Sequence, residues 1–167
     1  MELVIIALIV VIVVILIASI QRKLSTLDEN VRNAMNQIGV QMSSRFDVFQ
    51  SLLELTNEYE PCNIYIEKIK SQCEFINADS TPDDIRNQEA VLSDIFVYIT
   101  SVAEKYEQLK SDDNYIKFLS GAESYERMVR TSCFIYNESA TKLNSELRMF
   151  PVSLVGKIFG FEQRKLF

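Results

Sequence analysis

Few side chains in this sequence could take part in chemistry, and their spacing argues against it. There is no histidine and no tryptophan, and there are three cysteines, Cys62, Cys73 and Cys133. Without histidine, Ser-His-Asp triads, Cys-His pairs and almost every zinc site are excluded. Cys62 and Cys73 stand eleven residues apart, about 16 Å along a helix, too far to bridge each other. A metal would need closer ligands, so both read as small buried apolar side chains. Asp112, Asp113 and Asn114 lack the glycine and terminal glutamate of a calcium loop and read as a capping turn. Glu123, Glu126, Arg127 and Arg130 have the three- and four-residue spacings of surface ion pairs. Gly39, Gly121, Gly156 and Gly160 are isolated, so no loop is built to cradle a phosphate. The expectation is a protein that is not an enzyme and takes no cofactor or metal.

The elements that would carry these residues begin with an apolar run. The chain has 167 residues, of which 48% are apolar, ordinary for a single folded domain, but the apolar share is uneven. Residues 3–20, from Leu3 to Ile20, contain no charge and as a helix would reach about 27 Å, close to a bilayer's hydrocarbon core. A secretory signal would need a basic start, a shorter run and a small-residue cleavage site. Here Met1-Glu2 precedes the run, and Gln21-Arg22-Lys23 follows it directly. The segment reads as a retained anchor, residues 1–23. All 17 Lys and Arg lie after Ile20. The positive-inside rule therefore places the N-terminus outside and the rest in the cytoplasm of a cell membrane. An odd cysteine count agrees with that compartment, where the sequon at Asn137-Glu138-Ser139 carries no meaning. After Ile20 the 17 positive charges face 22 of the 23 acids, a balance unsuited to binding nucleic acid.

Four later stretches have helical periodicity, and none alternates as a strand would. The first continues from the anchor to about Tyr59, with Leu24, Leu27, Val31, Met35, Ile38, Met42, Phe46, Phe49 and Leu53 about 3.6 residues apart. Gly39 within it costs about 1 kcal/mol relative to alanine, which a close backbone contact or a soft spot would explain. Pro61 ends that helix, and Cys62, Ile66, Ile69, Cys73 and Ile76 mark the second. Thr81-Pro82-Asp83-Asp84 is a helix start with an N-cap, proline at the first position and acids on the dipole. The third helix carries Ile85, Leu92, Ile95, Ile99, Val102, Tyr106 and Leu109 on one face, and Ser111-Asp112-Asp113-Asn114 connects it to the fourth. The fourth places Tyr115, Phe118, Ala122, Tyr125, Val129, Cys133, Tyr136, Ala140, Leu143 and Leu147 inward and stops at Phe150-Pro151.

The expected fold is all-α: one transmembrane helix followed by an up-and-down four-helix bundle with long helices over residues 24–150. Four helices would bring residues 151–167 back toward the membrane. If the first two stretches instead formed one kinked rod, that tail would lie far from it.

Several of these residues form a known pattern. Leu109-Lys110-Ser111, Asn114-Tyr115, Glu126, Tyr136-Asn137, Asn144, Phe150-Pro151 and Gly160-Phe161 resemble the LemA family of bacterial membrane-anchored helical proteins. Ala34, Gln37, Arg45-Phe46-Asp47-Val48 and Leu52 look like its first cytoplasmic helix. The family usually has tryptophan at Met35, aspartate at Gly39, proline at Gln50 and Glu107, and arginine at Cys133. If Glu126 normally pairs with that arginine, here it must find Arg130 or water. The resemblance implies a four-helix cytoplasmic bundle behind one membrane helix, no established enzymatic activity, and a role in membrane organisation.

The tail, residues 151–167 with Phe150 before it, mixes apolar groups with cations. Phe150, Pro151, Ile158, Phe159, Phe161 and Phe167 accompany Lys157, Arg164 and Lys165, a composition suited to a lipid surface. A clasp on the bundle, a membrane contact and a subunit contact are all compatible with it. Val40, Val48, Leu55, Val91, Phe96, Val97, Ile116, Leu119 and Ile135 exceed a minimal core seam and imply either a wide core or lateral self-contact. Two functions follow. One is a scaffold that self-associates as a homo-oligomer and organises or shapes the bilayer. The other is a signalling or adaptor module that docks a partner protein, such as a membrane protein, at the cytoplasmic face.

Overall fold

The computed structural model describes residues 1–72 and 75–167, so Cys73 and its place on the second helix lie outside the described residues. The chain is all-helical: α1 (Glu2–Asn57), α2 (Asn63–Gln72), α3 (Pro82–Lys105), α4 (Glu107–Lys110), α5 (Asp113–Arg148) and α6 (Val152–Phe159). No strand occurs among the described residues.

The first helix is unbroken from the apolar run to Asn57, about 84 Å at helical rise. Leu3 through Ile17 are exposed, and contact with the helical body begins at Ile20 and Leu24. From there Leu24, Val31, Met35, Ile38, Met42, Phe49 and Leu53 are buried, as their spacing requires, while Leu27 and Phe46 are half-buried against them.

Local chemistry sets the helix starts. Thr81 Oγ1 accepts from the Asp84 N–H, and Asp84 Oδ2 accepts from the Thr81 N–H at 2.7 Å, closing a capping box before Pro82. Asp112 Oδ1 accepts from the N–H groups of Asn114 and Tyr115 at 2.7 and 3.1 Å, capping α5.

The antiparallel pair of α1 and α5 forms the largest interface. Lys23 pairs with Glu146 at 2.6 Å near one end, and Arg45 Nη2 stands 3.5 Å from Glu126 further along. The third helix runs alongside α1 in the same direction, with Phe49 against Phe96 and Tyr59 against Tyr106. The second turns back between them: Tyr65 stacks on Tyr98 at 4.1 Å, and Lys68 pairs with Asp94 at 2.8 Å. Its return brings Ile76 to Gly39. The first two stretches therefore do not form one kinked rod, and the end of α5 lies beside the start of the buried part of α1.

Two expectations about helix length are corrected. Among the described residues the second helix covers Asn63–Gln72, so the long helices there are α1, α3 and α5. The third stops at Lys105 instead of reaching Leu109. Tyr106 takes an extended conformation (φ −118°, ψ 98°), and one turn, α4, then buries Leu109. Tyr106 keeps the backbone that a following proline would impose, although Glu107 replaces the proline usual in the resembled family. Gly39 is explained by close approach, because a Cβ there would overlap the carbonyl oxygen of Ile76.

Candidate functional site: a tail clasp and a charged groove

The tail divides into two parts. After Phe150 and Pro151, α6 buries Val155 and Gly156, the latter against Leu147 and Leu24. Gly160 ends the helix in the left-handed region (φ 74°), and Phe161 N–H donates to Gly156 O at 2.9 Å, a Schellman closure. That turn sends residues 161–167 back along α5.

Those last residues are held through their backbone. Asn144 Nδ2 donates to Arg164 O at 2.8 Å, and Arg164 N–H donates to Asn144 Oδ1 at 2.8 Å. One heptad earlier on α5, Asn137 Oδ1 accepts from Phe167 N–H at 2.9 Å, and the Tyr136 hydroxyl donates to Lys165 O at 3.1 Å. Arg86 Nη2 donates to Leu166 O at 3.3 Å. Side chains add ion pairs, Arg164 to Asp28 at 2.8 Å and Lys165 to Asp83 at 2.5 Å. Lys165 and then Arg86 hold the Asp83 carboxyl below its usual range. The Phe167 ring meets Tyr136 edge-on at 5.4 Å. Burial pushes the Tyr136 hydroxyl up.

Beyond Phe167 a groove of about 480 Å³ continues between α3 and α5, lined by Ile85, Val129, Cys133 and Phe134 among others. It leads to a charged cluster. Arg45 is 6% exposed and bonds Glu89, while Glu126 takes Arg130 at 2.5 Å and reaches Arg45 as well. The Arg45 guanidinium also lies over the Phe49 ring, 5.6 Å from its centroid. Its Nε is buried without a hydrogen-bond partner. Glu126 thus finds Arg130 in place of the missing arginine, together with a second arginine that its local spacing did not indicate.

Cys62 is buried, its Sγ 3.2 Å from Leu53 O, and burial raises its thiol. Burial, then Glu89, push the Cys133 thiol up to about 11. Both are free. Among the described residues no three His, Cys, Asp or Glu side chains are grouped to hold a metal ion.

Leu3 and Arg22 are exposed, Ile20 is half-buried, and Lys23 is engaged by Glu146. Phe150, Pro151, Lys157, Ile158 and Phe159 face outward, whereas Phe161, Arg164 and Phe167 are half-buried and Lys165 is paired. Residues 161–167 fold back on α5, and α6 packs on α1 and α5 through Val155 and Gly156 while its other face stays exposed. Sequence reasoning missed Asp28, Asn144 as a clamp, Glu89 and the burial of Arg45. The heptad spacing of Asn137 and Asn144 on one helix face was the available signal.

The model of the LemA family matches residues 34–167. This chain belongs to the LemA family. The LemA match covers Arg45, Glu126, Asn137, Asn144 and the whole tail, so the charged groove and the clasp both lie inside the LemA region. It begins at Ala34, leaving the apolar run outside it. No curated protein matches the sequence.

Proposed function

We propose that this LemA-family chain is a membrane-anchored, non-enzymatic scaffold that self-associates and organises or shapes the bilayer. Its N-terminus lies outside and its up-and-down four-helix bundle in the cytoplasm. The observation that carries the reading is the continuity of α1. One helix, exposed and apolar over residues 3–17, becomes the central element of the folded body without a break. A single helix transmits tilt and rotation in the bilayer directly to the body. Copies in one membrane share height and direction, so their flanks face each other at the same level. That flank, where α1 meets α5, leaves Val40, Met128 and Ile135 exposed beside a shallow groove lined by Gln37, Gln41, Met128 and Ile135 among others.

The test is the mass of full-length protein in mild detergent, with and without the paired substitution Met128→Glu and Ile135→Glu. A defined assembly that survives dilution and falls to monomer in the variant supports the scaffold. A monomeric wild type sinks it. The groove between α3 and α5 favours a second reading, an adaptor that docks a partner protein. Under that reading the wild type is monomeric and Phe134→Glu abolishes partner retention at native membranes.

A further inference from the structure

We infer that α6 is an interfacial helix: its outward face enters the lipid headgroup region beside α1 and gives the body a second hold on the bilayer. The inference rests on the reading of residues 3–20 as the membrane span. Position comes first. Gly156 packs against Leu24, four residues beyond Ile20 and about 6 Å further along the helix axis. The neighbouring pair, Lys23 with Glu146 at 2.6 Å, fixes the end of α5 at the same height. With residues 3–20 filling the hydrocarbon core, Arg22, Lys23 and α6 all stand at headgroup level.

Surface composition comes second. The face of α6 turned away from Leu24 presents Leu154 (54% exposed) and Ile158 (76%), and Phe150 (80%) lies just before it. Large side chains of this kind are the usual insertion groups of interfacial helices. Lys157 stands exposed among them and, among the described residues, neither it nor Arg22 has an ion-pair partner. No acid occurs between Arg148 and Phe161. Unpaired cations beside apolar groups complement anionic headgroups over acyl chains, and this patch adjoins the apolar surface of α1. The clasp supplies the division of labour. Arg164 and Lys165 are bound to Asp28 and Asp83, which leaves Lys157 as the tail cation free for lipid.

The chain contains no tryptophan, so one introduced residue reports its own surroundings. Full-length protein carrying Ile158→Trp, Val10→Trp or Phe134→Trp would be reconstituted in phosphatidylcholine–phosphatidylglycerol vesicles with lipids brominated at shallow or deep acyl positions. The expected result is blue-shifted emission from Ile158→Trp, quenched most by shallow bromines. Val10→Trp should be quenched most by deep bromines, and Phe134→Trp, 66% exposed in wild type on α5, by neither. Quenching at Val10→Trp with none at Ile158→Trp overturns the inference and leaves the anchor standing. Equal quenching at Ile158→Trp and Phe134→Trp also overturns it, because the whole body would then lie on lipid. No quenching at Val10→Trp removes the span and the inference together.

Discussion

Asn144 holds Arg164 by both of its backbone polar groups, donating to the carbonyl and accepting from the N–H at 2.8 Å each. The two residues are twenty apart in sequence, and the paired bonds set the register of everything beyond Gly160. Asn144→Ala removes both bonds and is expected to release residues 161–167. Each lost bond contributes about 1 kcal/mol. Hydrogen exchange of the tail amides would measure the release, and unchanged protection would show that Asn137, Tyr136, Arg86 and the ion pairs hold the clasp without Asn144.

Acid should loosen the same clasp. Lys165 and Arg86 keep the Asp83 carboxyl below the ordinary aspartate value of 3.8. A depressed folded value means the contribution is present above that ordinary value and lost as pH falls through the lower folded one. Tail protection should therefore decline below about pH 4 in wild type. In Asp83→Asn it should already be weaker at neutral pH, with a smaller acid response.

Arg45 is the buried charge of the groove, facing Glu89 and Glu126. Arg45→Met leaves two carboxylates, each still partly solvated, without their shared cation. A loss of about 2 kcal/mol is expected, below the range for fully buried pairs. Urea unfolding of the full-length protein would read it. Arg45→Lys should recover only part, because one ammonium cannot reproduce the fork.

At Gly39, local propensity and tertiary packing predict opposite signs. Alanine in mid-helix should gain about 1 kcal/mol. A Cβ there overlaps the Ile76 carbonyl oxygen, so backbone must move, at a cost of about 1–3 kcal/mol. Packing dominates because the obstacle is main chain, and Gly39→Ala is expected to lower the Tm.

With its thiol raised to about 11, Cys133 holds about a hundredfold less thiolate at neutral pH than an unburied cysteine at 9.0. Site-resolved alkylation should find it slow at pH 8 and faster as pH approaches 11. Stability should also fall as pH rises from 9.0 toward 11, because the unfolded chain loses that proton first.

What the sequence determined by itself was local. The apolar run, the 3.6-residue stripe from Leu24 to Leu53, the capping box at Thr81, the Asp112 cap and the stop at Phe150-Pro151 depend on neighbours within a few residues. Their physics does not change with the rest of the fold. Tertiary structure decided which flanks of those helices are covered. Val40, Phe96, Val97, Ile116 and Ile135 are exposed, while Val48, Leu55, Val91 and Leu119 pack on the core, although periodicity alone treats all nine alike. The same holds for the break at Tyr106, set where its ring packs on Tyr59, for Gly39 under Ile76 and for Arg45 between two glutamates. Arg164 meets Asp28 across 136 positions of sequence. Such a contact exists only after α1 and α5 have paired, because their packing brings the two charges together.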